Sequence, residues 1–370
     1  MKRTLMIFIA LFSSLLLFIN SAGAQDMGTV NRIGYYLAAD TNGVQQVYQL
    51  LLDGQSQARQ ITSADEDVLS YTPAFDGLSV AYISAGYLWL QPIHTETAEA
   101  LAPVSGTHFM NGVVFSQDGL YLAYPSEGVW LLNLSTRETR QLLANVPLDE
   151  SGSNMAEYRL YFPKQFVLGA DGQSEKIIVD IGVWEWNTAG VYDLMSDELH
   201  VLQNQLHSDL LPLYGDRVLV FGNNGVSGDF SLYAAQTLDD INNASEVVQF
   251  ADLTDLTLFA NQAIEIHPGT VRVSGEAIGP LLDETRFFYF DYDLMAGTAG
   301  SVNTIIIAAE VGGTFPGELS PDGALLPVYK ATEWHDSGSL YGQLTIIDLV
   351  SGSEMVLNLP ATIGAFRWQP

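Results

Sequence analysis

The amino-acid sequence predicts an all-β chain: a single β-propeller of four-stranded antiparallel blades, seven in number with six as the alternative, closed by pairing of its N- and C-terminal strands. Three observations predict it. Four short strand-like pieces separated by turn residues recur along the chain at a period of roughly 30–50 residues, the spacing of propeller repeats. The chain enters this pattern inside a repeat and ends on the piece which that first repeat lacks, as a ring closed on itself requires. No Pro/Gly/Ser-rich linker interrupts the 370 residues, so the repeats form one domain.

The first element is a processing signal. Met1–Lys2–Arg3 supplies a basic start, Leu5 to Ile19 is apolar but for Ser13 and Ser14, and Ala22–Gly23–Ala24 is a small-residue cleavage site. Cleavage is expected after Ala24, which places the mature protein outside the cytoplasm. The alternative is an uncleaved anchor, although the apolar run is shorter than the roughly 20 residues that span a bilayer. The division is thus 1–24 signal peptide, 25–31 short linker and 32–370 propeller. Loss of the leader leaves 12 basic against 43 acidic residues and moves the formal charge from −29 to −31. Such a surface excludes phosphate-reading nucleic-acid binders and anionic membranes, and it keeps a β-rich monomer soluble. The lack of cysteine excludes disulfides, thiolate metal sites and cysteine nucleophiles.

The repeats follow in order. The first has only three pieces: Arg32–Tyr36, Gln46–Leu50 and Arg59–Thr62. The second runs from Phe75–Asp76–Gly77 through Val80–Tyr82 to Tyr87–Leu90. The third is the clearest, with Val113–Gly119, Leu120–Tyr124, Val129–Leu134 and Thr139–Leu143. Its Asp118–Gly119 pair reads as a type I′ hairpin turn, which needs positive φ at both central residues. Lys176–Val183 with Gly190–Leu194 supplies the fourth repeat, and Arg217–Phe221 with Phe230–Tyr233 the fifth. Residues 259–309 hold the sixth, with Thr270–Ser274, Arg286–Asp291 and Val302–Ala308 as its strands. The seventh runs from Leu319–Gly323 through Thr345–Leu349 to Glu354–Leu357, and Ala365–Pro370 supplies the piece missing from the first. Long connections are expected at 144–160, 239–246, 275–283 and 331–341, where function often sits.

The boxes Phe115–Ser116–Gln117–Asp118–Gly119 and Leu319–Ser320–Pro321–Asp322–Gly323, with the Arg59–Gln60–Ile61–Thr62 ending, resemble TolB-type, WD40-like propeller repeats. The resemblance implies the fold and says little about activity. The separate α/β domain that precedes the TolB propeller has no counterpart here, since the strands start near Arg32, so the partners of TolB are not carried over.

Catalytic signatures are sparse. Gly-x-Ser-x-Gly does not occur, and His94, His108, His200, His207, His267 and His335 are scattered without metal-binding spacing. Phosphate loops and dinucleotide glycine fingerprints are also lacking. Acidic groups such as Asp65–Glu66–Asp67, Asp149–Glu150 and Asp291–Tyr292–Asp293 read first as a solvated rim. Calcium held by carboxylate oxygens is the alternative, and a carboxylate pair acting on a glycosidic bond a further one. Asp40–Thr41–Asn42–Gly43 faintly suggests a calcium loop but lacks later acidic ligands, so a hairpin turn is expected; no cofactor is assigned. Trp89 and Trp130 alternate inward as core.

Aromatics within polar turns are better ligand candidates, because an indole offers a large apolar face and one N–H donor. Trp184–Glu185–Trp186 and Trp334–His335–Asp336 are placed at second-to-third-strand turns, with Asp65 and Asp67 at the end of the first repeat. Together they predict a non-catalytic binding scaffold for a protein, peptide or carbohydrate ligand. The alternatives are a glycosidase- or lyase-like enzyme with acids at the central channel, and a TolB-like module of a cell-envelope complex.

Overall fold

A computed structural model describes residues 32–52, 57–106, 112–149, 151–169, 172–183, 187–202, 206–212, 218–223, 230–235, 241–242, 245–249, 257–278, 285–307, 314–334, 340–362 and 365–370. The signal segment and linker lie outside these residues; the strands begin at Ile33.

Among the described residues the strands form seven antiparallel sheets. Sheet one holds β1 (Ile33–Ala39), β2 (Gln45–Leu51), β3 (Gln57–Gln60) and, on its inner side, the C-terminal β29 (Arg367–Trp368). Sheet two is β4 (Ser70–Pro73), β5 (Ser79–Ser84), β6 (Tyr87–Pro92) and β7 (Glu99–Pro103). Sheet three is β8 (Val114–Phe115), β9 (Tyr121–Pro125), β10 (Gly128–Asn133) and β11 (Thr139–Ala144). Sheet four is β12 (Leu160–Leu168), β13 (Ser174–Gly182), β14 (Asn187–Asp193) and β15 (Glu198–Val201), and sheet five is β16 (Leu206–Pro212), β17 (Val218–Asn223), β18 (Phe230–Ala235) and β19 (Ser245–Gln249). Sheet six is β20 (Thr257–His267), β21 (Thr270–Ile278) and β22 (Thr285–Asp293), with β23 (Thr298–Ala299) and β24 (Asn303–Ile307) both paired to β22. Sheet seven is β25 (Thr314–Pro316), β26 (Leu325–Trp334), β27 (Leu340–Asp348) and β28 (Glu354–Thr362).

Alternating side chains bury both faces of each sheet against its neighbours, which is why these strands read as near-continuous apolar runs. Tyr35, Leu37 and Val47 of sheet one pack with Tyr71, Val80 and Tyr82 of sheet two. Ala81, Ile83 and Leu88 face Phe115, Leu122 and Tyr124 of sheet three. Ala123 and Leu131 meet Phe166, Ile177 and Val179 of sheet four, and Ile178 and Val191 meet Leu210 and Val220 of sheet five. Phe287 of sheet six lies against Leu326 and Val328 of sheet seven. Tyr329, Leu344 and Ile346 then pack on Tyr36, Leu50, Phe366 and Trp368 of sheet one, closing the ring. β1 pairs with β29 through Gly34↔Trp368 and Tyr35↔Arg367, as the sequence predicts. Gly34 is required there because a Cβ would collide with the Phe366 ring.

The Asp-Gly turns differ from the expected type I′ geometry. Gly77, Gly119 and Gly323 have positive φ, but the aspartates before them do not. Each glycine N–H instead bonds the carbonyl three residues back, at Ala74, Ser116 and Ser320, and each aspartate Oδ1 accepts the N–H two residues on. That Asx bond holds the aspartate out of the left-handed region. Positive φ at both central residues occurs at Ala85–Gly86 and Glu127–Gly128, the turns between second and third strands. Two expected connections are also partly strand, since 275–278 belong to β21 and 331–334 to β26. Bulges at Ala260/Gln262 and Ala331/Glu333 absorb the irregularity and extend both hairpins.

Asp118 ties sheet three to sheet four, its Oδ2 accepting the Ser174 N–H at 2.8 Å. Burial pushes its carboxyl pKa up, but the bonds from Ser116, Leu120 and Ser174 outweigh this and hold it below its ordinary 3.8. The folded-state value is depressed, so this stabilisation is present above the ordinary carboxyl pKa and is lost as pH falls through the folded value. Asp118→Asn is therefore expected to destabilise by about 1–2 kcal/mol at neutral pH, with the difference shrinking below pH 3.8. Urea unfolding of both proteins at pH 7 and pH 3 checks this; a pH-independent difference would contradict it.

Candidate functional site

The first strands lie innermost, since β29 contacts β4, β4 contacts β8 and β8 contacts β12. With this order, second-to-third-strand turns and the connections leaving each fourth strand emerge at one end of the sheets, which we call the upper end. Each sheet's first-to-second and third-to-fourth turns emerge at the other. The upper end carries 40–44, 61–69, 85–86, 126–127 and 145–159, and the strands flanking 184–186 and 335–339 also end there.

This end is uneven. Between the Asp-Gly turn and the upper turn, β5 has 6 residues and β9 has 5. The matching β13, β21 and β26 have 9, 9 and 10. The β21–β22 and β26–β27 hairpins are each held by 9 cross-strand pairs, against 6 in β5–β6, 5 in β9–β10 and 7 in β13–β14. At about 3.3 Å per residue, the hairpins of sheets six and seven extend about 10 Å further than those of sheets two and three.

The candidate residues fall as follows. Asp65 and Glu66 are exposed on the loop from β3 to β4. Asp67 is half-buried, and its Oδ1 accepts the Gln45 N–H at 2.8 Å, so it fastens the loop to sheet one. Trp334 is not in a loop; it is the last residue of β26, paired with Leu340. His335 and Asp336 lie outside the described residues, as do Trp184, Glu185 and Trp186, which Gly182 and Asn187 bracket as a cross-strand pair. Trp89 and Trp130 are half-buried between sheets, with their indole N–H groups donating to Ser84 O at 3.0 Å and Ser126 O at 2.8 Å.

The loop from β3 to β4 is held firmly. Gln46 is buried; its Nε2 donates to Ala64 O at 2.8 Å, and its Oε1 accepts from Ala64 N–H at 3.0 Å and the Thr62 hydroxyl at 2.7 Å. The Ser84 hydroxyl donates to Glu66 O at 2.8 Å. Sequence reasoning missed that this ties the Glu66 backbone to Ser84, whose row in sheet two also carries two exposed apolar side chains, Leu69 and Tyr87. The available signal was the Ala85–Gly86 turn, which fixes Tyr87 at the upper end.

The acidic turns are satisfied by their own backbones. Asp40 Oδ1 accepts from the N–H groups of Asn42 and Val44, which makes 40–44 a hairpin turn. Asp149 accepts from the hydroxyls and N–H groups of Ser151 and Ser153, and the Ser153 hydroxyl bond leads in lowering its pKa. Among the described residues, no three His, Asp or Glu side chains converge as a metal site. On the first strands of sheets one, two and three, the half-exposed Arg367, Thr72 and Val114 alternate with buried Trp368, Pro73 and Phe115, and just past β25 of sheet seven the half-exposed Glu318 precedes buried Leu319. Glu318, the carboxylate among these four, pairs with Arg367 at 3.7 Å.

The solved structures that this chain resembles share this architecture. Prolyl oligopeptidase B from Galerina marginata superposes with a TM-score of 0.55 at 11% identity, over 89% of this chain and 49% of that one. Oligogalacturonate lyase from Vibrio parahaemolyticus gives 0.51 at 12%, over 88% and 85%. TolB from Acinetobacter baumannii gives 0.48 at 16%, over 92% of this chain and 67% of TolB. The chain thus spans about half of the first of these proteins and two-thirds of TolB. At such identities the likeness establishes the β-propeller fold. No family model matches the chain, and no curated protein does.

Proposed function

We propose that the protein is an exported, non-catalytic β-propeller scaffold that binds a protein, peptide or carbohydrate ligand across its upper end. The observation that carries this reading is topological. Asp65, the ends of the strands bracketing 184–186, and Trp334 at the end of β26 all lie at one end of the sheets, where the hairpins of sheets six and seven are paired further than those of sheets two and three. Hairpins of unequal length at that end give a ligand a stepped surface to meet. The basic start, apolar run and Ala22–Gly23–Ala24 of the leader support export.

Replacing Trp334 and His335 together by alanine is expected to abolish capture of the binding partner by the mature chain. The unfolding midpoint of this variant should stay near that of the parent, showing that the fold is intact. Capture that survives the double substitution would overturn the placement.

A further inference from the structure

We infer that the upper edge of sheet two is a docking shelf for a peptide segment of a partner protein, one carrying a basic residue beside an apolar residue. This deepens the reading of the upper end as the binding face and rests on it. Leu69 is 49% exposed and Tyr87 45% exposed. They occupy one cross-strand row: Ser84 pairs with Tyr87, while Leu69 N–H bonds Ile83 O just past the Ser70↔Ile83 pair. Ser84, between them, is buried and holds the Glu66 carbonyl through its hydroxyl. The backbone of the acidic loop is thus tied to the middle of the row, and Asp65 and Glu66 are both exposed on that loop.

The shelf is built before any partner arrives. Tyr87 meets Trp89 edge-on at 6.1 Å, Trp89 stacks on Tyr82 at 6.4 Å, and the Trp89 indole is pinned to Ser84 O. Gln46, Thr62 and Asp67 hold the acidic loop from the side of sheet one. A preordered surface binds without the cost of freezing its own side chains. Charge complementarity selects the occupant. In a chain of formal charge −29, Asp65 and Glu66 favour a cation, and the face of Tyr87 accepts the same lysine or arginine head by a cation–π contact. Leu69 then receives the neighbouring apolar side chain.

The test uses the mature chain and two fluorescein-labelled peptides, one alternating lysine with leucine and one alternating lysine with serine, read by anisotropy. Saturable binding of the lysine–leucine peptide is expected, weakened at least about tenfold, or about 1.4 kcal/mol, by Leu69→Ser with Tyr87→Ser. Asp65→Asn with Glu66→Gln is expected to weaken it about three- to tenfold and to flatten its salt dependence. Unchanged affinity in both variants overturns the inference, as does equal affinity for the lysine–serine peptide, which would mean unlocalised attraction. Binding of a neutral oligosaccharide at Tyr87 in place of the peptide overturns it too. Two controls separate the two readings. Loss of peptide binding on Trp334→Ala but not at Tyr87 removes only this inference. Loss on Met195→Ser with Met295→Ser, at third-to-fourth-strand turns of the opposite end, removes the upper-end reading as well.

Discussion

Deletion of residues 365–370 is expected to abolish the cooperative folding of the propeller. β29 is only 2 residues long, yet the segment around it is gripped from three sheets. The Tyr71 hydroxyl of sheet two donates to Ala365 O, and the Tyr329 hydroxyl of sheet seven accepts the Phe366 N–H at 2.6 Å. Burial pushes both phenol pKa values up, so these contacts persist through the alkaline range in which an ordinary tyrosine ionises. The Trp368 indole donates to Glu318 O at 2.8 Å, and the Gln369 amide bridges Tyr35 to Ala74 O. Phe366 is 1% exposed and lies edge-on to Trp368 at 4.8 Å, so Phe366→Ala alone should cost about 3–5 kcal/mol. That is a large part of the about 5–15 kcal/mol that stabilises a typical domain. Losing the whole segment also frees the inner edge of sheet one. Urea unfolding followed by circular dichroism reads both variants; a truncated chain that unfolds at the parental midpoint would refute the closure argument.

Arg272→Ala is expected to be the most damaging single substitution of a polar residue among the contacts described. Arg272 on β21 forks onto Asp291 through Nε at 2.7 Å and Nη2 at 2.9 Å, and its Nη1 reaches Gly323 O at 2.9 Å, in the Asp-Gly turn of sheet seven. Its guanidinium also lies 5.1 Å from the centre of the Tyr289 ring. The side chain is 16% exposed against 41% for Asp291, so one partner is shielded and the other stays partly wet. The hydrogen bonds that Arg272 donates to Asp291 lead in raising its pKa, which keeps the cation charged at every usable pH. Breaking this joint should cost about 2–3 kcal/mol, below the range for fully buried pairs because Asp291 can rehydrate. Arg272→Lys should recover less than half, since an ammonium cannot bond both carboxylate oxygens and the carbonyl in a fork. A loss under about 0.5 kcal/mol in Arg272→Ala would show that packing alone joins sheets six and seven.

Both predictions concern joints between sheets, which local sequence patterns do not reveal. The strands themselves were legible: Tyr35–Leu37, Val80–Ile83 and Leu122–Tyr124 are apolar runs and Leu344–Ile347 is broken only by Thr345, because sheets stacked on both faces exclude water from alternate side chains of both parities. The extent of the tall hairpins was not legible. Gly275 and the polar residues after Lys330 read as loop, whereas backbone pairing carries β21 and β26 past them through bulges opposite or within the strand. Asp118–Gly119 was legible as a turn but not as its type, because the choice depends on whether the aspartate bonds its own backbone.

The candidate site divides the same way. Asp65 was legible as an exposed acid at the end of the first repeat. That Asp67 is spent on fastening the loop, while the Glu66 carbonyl is tied to the row of sheet two that carries Leu69 and Tyr87, depends on Gln45 and Ser84 from two different sheets. By itself the sequence determined the all-β repeat, the closure of β29 on β1 and the acidic character of the chain, since each follows from residue type and period along one chain. Only the tertiary structure decided which end of the sheets carries the shelf, how high each hairpin stands and which of many carboxylates is already engaged. Those depend on hydrogen bonds between residues 18 to 295 positions apart, which no local window of the sequence contains.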